Sequence, residues 1–466
     1  MTSSKKTNFK RFIALALTAL GLALLFLALK AIGCNGILSL GWATPLLASL
    51  LLLTLAIGFI KPLQGPLLEL RLNTLVLLGA VLFCLQATNM GLGLIKGWGN
   101  DNRIKADVLR QRLPQEPNLQ IVVAPRNFIN EPKALLQGAL FPLSGVPDAD
   151  TLLCNEGGPW VSYRADRYGF RNPDEVWDKA KLDVAIIGDS FVHGVCAKDE
   201  SSFVDQVRAQ FPATLGLGML GNGPLIELAT LKEFGLPKQP THTIWVFYEG
   251  NDLFRQLDDK AGDLDFEWGK AGKLQAYLQP SGYRQYFDRQ RARFKTAVEQ
   301  LAVNNRTRHL NSHPNVPVLT PLWYFGLDQW QLAHVQSLLN PIYFMLGFNH
   351  LHTPSPASAQ QTLNRFDQVL ASAEAGLKQH HSHAVMVYLP EKTRFALNTP
   401  NPMHDYALQL AEAHGFDTID LVPRFTETGN PLGLYTRQGH HLSQAGNDLV
   451  ARTLITYLQQ QTAHPQ

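Results

Sequence analysis

Val184-Ala185-Ile186-Ile187-Gly188-Asp189-Ser190-Phe191 is the stretch on which the reading of this chain turns. Four apolar residues, three of them β-branched, stop at Gly-Asp-Ser, and a helix-like pattern follows. That pattern predicts a buried strand ending in a tight turn. A serine there stands at the carboxyl end of a sheet strand, where open α/β folds place their ligands. It also lies near helix N–H groups, which favour anions. An ordinary turn uses the same residues, so the tripeptide needs company elsewhere in the chain.

Three further segments supply it. Leu215-Gly-Leu-Gly-Met-Leu-Gly-Asn-Gly-Pro224 is a short apolar run entering a glycine-rich turn. Thr243-Ile-Trp-Val-Phe-Tyr-Glu-Gly-Asn-Asp252 reads as a strand closing on Gly250-Asn251-Asp252. Gly439-His-His-Leu-Ser-Gln-Ala-Gly446 leads into a helical pattern. Residues 184–187, 244–248 and 384–389 are strand-like, with 416–421 a weaker fourth, and helical patterns follow Ser201, Pro224, Met403 and Ser443. Such alternation predicts a mainly parallel sheet with helices on both faces.

In this order the four segments resemble the blocks of the SGNH (GDSL-like) hydrolase family, over about residues 181–458. Three phrases are closer still to a membrane-attached bacterial subgroup associated with surface polysaccharide. They are Asp166-Arg-Tyr-Gly-Phe-Arg-Asn-Pro173, Gly188-Asp-Ser-Phe-Val-His-Gly194 and Gly221-Asn-Gly-Pro-Leu-Ile-Glu-Leu-Ala-Thr-Leu231. The resemblance implies a three-layer α/β/α fold of flavodoxin-like type with a mainly parallel sheet, preceded by an N-terminal transmembrane helical region. It places Ser190 on the family nucleophile and His441, followed by Leu442-Ser443, on the general base. Ser190, Gly221 and Asn251 fall on the oxyanion-hole donors. No cofactor is implied.

The chemistry explains the residue types. A serine hydroxyl is a poor nucleophile until an imidazole takes its proton. Preorganised N–H donors then stabilise the tetrahedral oxyanion by several kcal/mol. One departure stands out: the family carries an aspartate two or three residues before the base, and here those positions are Gly439 and Gln438. A backbone carbonyl, Gln438 or a distant acid such as Asp420 are the candidates for holding the ring. A slow enzyme, a Ser-His dyad and a non-catalytic glycan-binding or assembly domain all stay open. His440 is a second candidate base. Asp189 and Asp252 neighbour site residues, but capping a turn or helix is the simpler role for each.

The other end of the chain reads as a membrane anchor. Residues 12–29 form eighteen uncharged positions, and residues 37–60 and 72–95 twenty-four each. Each is long enough to cross a hydrocarbon core about 30 Å thick. The third is diluted by Asn73, Thr74, Gln86, Thr88 and Asn89. Lys5, Lys6, Lys10 and Arg11 precede the first span, and Lys61 and Arg71 lie between the second and third. The positive-inside rule then puts the N-terminus in the cytoplasm and everything after about residue 96 outside. The expected location is a bacterial inner membrane, with the C-terminal domain periplasmic. A cleaved signal peptide is the rival reading of the first span, and a re-entrant third segment would reverse the topology.

Composition bounds the rest. The chain has 466 residues, too many for one core. The expected division is an anchor at 1–98, a linker and accessory segment at 99–180, and an acyl-transfer domain at 181–466 with a helical insertion at about 254–364. Aromatics in that insertion, such as Tyr277, Trp323 and Trp330, suit either a self-contained helical subdomain or a sugar-facing lid. Net charge is +3 without a basic stripe, so nucleic acid is not an expected partner. Cys154 and Cys196 fall in the exported region, where a disulfide between them is plausible. No metal-ligand spacing is present, and His380-His381-Ser382-His383 reads as a polar helix end. The expected partners are the lipid bilayer, an acylated glycan or ester substrate, and, for a transferase, a membrane acyl-donor protein.

Overall fold

A computed structural model describes residues 3–35, 43–60, 64–96, 101–130, 141–156, 159–255, 262–270, 274–279, 284–312, 332, 335, 355–436 and 439–463. Two compact units result, one from residues 1–104 with 314–350 and one from 105–313 with 351–466. Within the second, β1 (Gln120–Ile121), β2 (Asp150–Cys154) and β3 (Val161–Arg164) form a small sheet in that order. β2 runs parallel to β1 and antiparallel to β3.

The large sheet holds β4 (Val184–Gly188), β5 (Thr214–Gly218), β6 (His242–Tyr248), β7 (His383–Leu389) and β8 (Asp417–Asp420). All five are parallel, in the order β5-β4-β6-β7-β8. This is the 2-1-3-4-5 order of doubly wound sheets, which reverses direction once. The continuous apolar runs follow from burial on both faces. Val184, Ile186, Ile244 and Val246 pack with helices Phe203–Gln210, Leu421–Glu427 and Gln444–Ala463. Ala185, Ile187, Trp245 and Phe247 pack on the other face with helices Pro224–Thr230, Pro356–Gln379 and His404–Ala413. Each fully buried aliphatic side chain there contributes about 1.5–3 kcal/mol.

Val123, Phe128, Leu143, Phe170 and Trp177 share the core that holds Leu217 and Trp245. These apolar side chains of the expected linker and accessory segment help complete the core of the sheet. The expected insertion is split, with 314–350 grouped with the N-terminal unit. Leu274, Tyr277, Val298 and Leu301 join the sheet-domain core, while Trp323 and Trp330 lie outside the described residues.

Among the described residues of the N-terminal unit, two helices are long and apolar enough to cross a membrane, Lys10–Lys30 and Pro66–Leu92. The middle helix, Ala43–Ile60, is shorter, and residues 37–42 of the expected second span lie outside the described residues. Phe12, Phe83 and Leu94 are 68%, 72% and 74% exposed, an apolar surface that suits lipid contact. Two of the polar residues of the third apolar stretch have partners elsewhere in this unit. Gln86 donates to Thr44 Oγ1 at 3.0 Å, and buried Asn89 accepts from Val335 N at 3.1 Å.

Candidate functional site

Ser190, Gly221 and Asn251 follow the carboxyl ends of β4, β5 and β6, three adjacent strands. That is where the sheet order reverses, the position at which open α/β sheets generally bind their ligands. Ser190 lies in tight turns in which its carbonyl accepts from Val195 N at 3.0 Å. Gly221 has φ +75°, a left-handed conformation that glycine adopts without strain. Among the described residues the backbone N–H groups of Ser190 and Gly221 and the side chain of Asn251 make no hydrogen bond, which leaves their donors unspent.

His441 comes to the same place from the far end of the chain. Helix Gln444–Ala463 is tied to helix Phe203–Gln210 by Asn447 Oδ1, which accepts from Phe203 N at 3.0 Å, and by a Gln206–Asp448 bond at 2.9 Å. The imidazole of His441 then lies with its centroid 5.2 Å from that of Phe191.

The carboxylate that meets His441 is Glu156. His441 Nδ1 donates to Glu156 Oε1 at 2.6 Å, and His441 N and Thr436 Oγ1 donate to Oε2 at 3.2 and 2.5 Å. Burial alone would raise the Glu156 pKa, but the bonds from His441 and Thr436 outweigh it and bring it down to about 2. A carboxylate that stays ionised can only accept, so Nδ1 carries a proton, and in the neutral ring Nε2 is then the nitrogen with the lone pair. That is the tautomer a general base needs. Gly439 makes room for this arrangement, since a Cβ there would overlap the Glu156 carboxylate. Lys392 holds the same loop through the carbonyls of Thr436 and Gly439, both at 2.8 Å.

The other candidates fall elsewhere. Asp420 caps the helix Leu421–Glu427 through Val422 N at 2.9 Å and bonds to His404, so it is not the ring-holder. Gln438 lies outside the described residues. His440 is exposed, with no hydrogen bond among the described residues. Asp189 accepts from Phe191 N at 2.9 Å and from Ser190 Oγ at 3.3 Å, and burial raises its pKa to about 6. Asp252 accepts from Tyr248 N at 2.8 Å, and burial holds its pKa well above the carboxylate range. Both are turn caps. The Ser190 hydroxyl in this structure bonds to Asp189, and no Ser190–His441 hydrogen bond is made. Catalytic hydrogen bonds are often formed only once substrate binds.

Several residues shape the site without an obvious local signal. His193 accepts from Leu220 N on Nδ1 at 3.2 Å and pairs with Tyr163 Oη through Nε2 at 2.9 Å, fixing the residue before Gly221. Its burial drives its pKa down to about 3, so it stays neutral. Glu267 accepts from Gly223 N, Leu225 N and Ile226 N at 2.6–3.1 Å and so caps the helix after Gly221. Burial raises its pKa to about 8. Asp263 is fully buried, ion-pairs with Arg126 and with Arg255, and donates its N–H to Asn251 O at 2.7 Å. Arg126 rests against Gly221.

The phrase Asp166–Asn172 has a structural use. Asp166 accepts from Tyr168 N, Phe170 N, Asn172 Nδ2 and Trp177 Nε1. Asn172 then clamps Gly216 of β5 from both sides, and Arg171 donates to the carbonyls of Gly194 and Ala197 beyond Ser190. Cys154 and Cys196 are joined in a disulfide, with Cα atoms 5.4 Å apart. His383 bonds to Asp417 Oδ2 at 2.9 Å and Tyr457 Oη at 3.0 Å, a strand-end contact rather than a ligand set.

No family model matches this chain, and no curated protein matches it in sequence.

Proposed function

We propose that this chain is a membrane-anchored acyl-transfer protein of SGNH type, working through an acyl-serine at Ser190. The observation that carries the reading is the Glu156–His441 pair, with Nδ1 2.6 Å from the carboxylate. It supplies the acid whose absence next to His441 would have argued for a retired site. In the proposed reaction His441 Nε2 takes the Ser190 proton as Oγ bonds to the ester carbonyl carbon. The N–H groups of Ser190 and Gly221 and the Asn251 amide receive the oxyanion. The C–O bond to the alcohol then breaks, and the alcohol leaves with the proton held by His441. Water as second acceptor makes an esterase, and a sugar hydroxyl an O-acyltransferase. Two helices long enough to span a membrane and the charge bias around them support an exported domain facing an acylated glycan or lipid-linked sugar. A transferase would draw its acyl group from a separate membrane protein.

The test is labelling of the full chain by a serine-directed fluorophosphonate. The reading expects labelling that disappears in Ser190→Ala and collapses in His441→Ala. Labelling that survives Ser190→Ala would overturn the site. No labelling of the native protein would favour the glycan-binding or assembly alternative. Aryl-acetate turnover with and without a sugar acceptor then separates hydrolysis from transfer.

A further inference from the structure

The relay acid does not belong to the five-stranded sheet that carries Ser190. Glu156 follows β2 of the small sheet by two residues, and β2 ends on Cys154. Cys196 ends the tight turns that begin at Ser190, where His193 N bonds to Asp189 O, Val195 N to Ser190 O and Ala197 N to Gly194 O, all at 3.0–3.1 Å. The disulfide therefore joins the segment bearing the acid to the segment bearing the nucleophile. It also sits on the relay itself. A ligand atom from each of Cys196, Glu156 and His441 lies within 4.8 Å of the other two. The sulfur is committed to the disulfide, and Nδ1 to the carboxylate, so the trio offers no thiolate to a metal.

We propose that Cys154 and Cys196 are positioning residues. Their bond holds Glu156 on His441 and makes the relay depend on an oxidised protein. This rests on the acyl-transfer reading for its catalytic consequence, though not for its geometry. The physical need is plain. The carboxylate must stay within hydrogen-bond reach of Nδ1, yet it hangs from a separate small sheet. A covalent link across the gap removes the freedom with which β2 and the Ser190 turns would otherwise move apart.

The experiment uses the full chain in detergent or lipid discs. Dithiothreitol delivers two electrons and two protons to the disulfide, yielding two thiols and its own cyclic disulfide. The Cys154→Ala/Cys196→Ala protein is the second arm, and reoxidation of the reduced native protein controls for unfolding. The fluorophosphonate labelling rate of Ser190 should fall about a hundred-fold, the scale of misplacing a catalytic group by roughly 1 Å. It should return on reoxidation. Glu156→Gln should then cost only about ten- to a hundred-fold in the uncrosslinked protein, well below its cost in the native one, since the two changes act on one link. A rate retained after complete reduction overturns the proposal. So does a Glu156→Gln penalty as large without the crosslink as with it, since that marks a merely structural disulfide. If the oxidised native protein takes no label, the acyl-transfer reading fails by itself. Carbodiimide coupling at Glu156, read by mass spectrometry, then decides: a rise on reduction supports the tether, and an unchanged level overturns it.

Discussion

Glu156 and His441, 285 positions apart, meet in a 2.6 Å hydrogen bond that fixes the histidine's tautomer. Neither residue makes sense of the other in the sequence. In the fold the carboxylate fills the space that Gly439 leaves empty. Under the proposed function the acid comes from the loop after β2 and not from the residues just before His441.

Neutralising that acid is the most direct test of its role. Glu156→Gln should lower the rate of Ser190 acylation by roughly three to four orders of magnitude, as neutralising a triad acid does elsewhere. The protein should stay folded, which circular dichroism and thermal unfolding would check. A loss below tenfold would demote Glu156 to a loop anchor.

Gly439 gives the converse test. Gly439→Ala forces a methyl into the Glu156 carboxylate, an overpacking costing about 1–3 kcal/mol. Labelling should fall with it. In Glu156→Ala the obstruction is gone, and Gly439→Asp offers a carboxylate from the opposite side. Glu156→Ala/Gly439→Asp should therefore label faster than Glu156→Ala alone.

His193 acts on the oxyanion side. Replacing it by Leu strands the Leu220 N–H, at a cost of about 1–3 kcal/mol. The displaced Gly221 donor should slow acylation by up to about a hundred-fold. His193→Gln, which keeps an acceptor, should recover part of both losses. Thermal unfolding and labelling rates measure the two effects separately.

Stability should depend on pH in two opposing windows. His193 has its folded pKa depressed to about 3, so its contribution is present above about 6.5 and is lost as pH falls through about 3. Glu267 has its folded pKa raised to about 8, so its contribution is complete below about 4.5 and is lost as pH rises through about 8. Each proton changes stability by at most about 1.4 kcal/mol per pH unit. His193→Gln should flatten the acid side of a plot of unfolding midpoint against pH, and Glu267→Gln the alkaline side. Unchanged curves would contradict both assignments. Glu156, down to about 2, adds acid sensitivity only below about 4.5.

Much of this architecture was legible from local pattern. Runs such as Ile244-Trp-Val-Phe-Tyr248 are apolar throughout because both faces of a parallel strand are buried, and β4, β6 and β7 stand where such runs occur, with the half-exposed edge strand β8 at the weaker fourth. The turns bearing Ser190, Gly221 and Asn251 were visible as glycine and polar residues after apolar runs. The role of Asp166–Asn172 was not, since its bonds reach Gly216 and Gly194 across the fold. The packing of the segment before β4 is illegible for a related reason. Residues 105–180 lack strong periodicity, and only their packing against the sheet shows that Phe128 and Trp177 are core.

The sequence alone determined the alternation that builds a parallel sheet, the serine at its carboxyl edge and the apolar helices at the N-terminus, because each is written within a few consecutive residues by short-range sterics and burial. Which carboxylate meets His441 was decided by tertiary structure alone. A hydrogen bond between groups hundreds of residues apart leaves no periodic trace in the chain. It exists only where folding brings two loops within 3 Å.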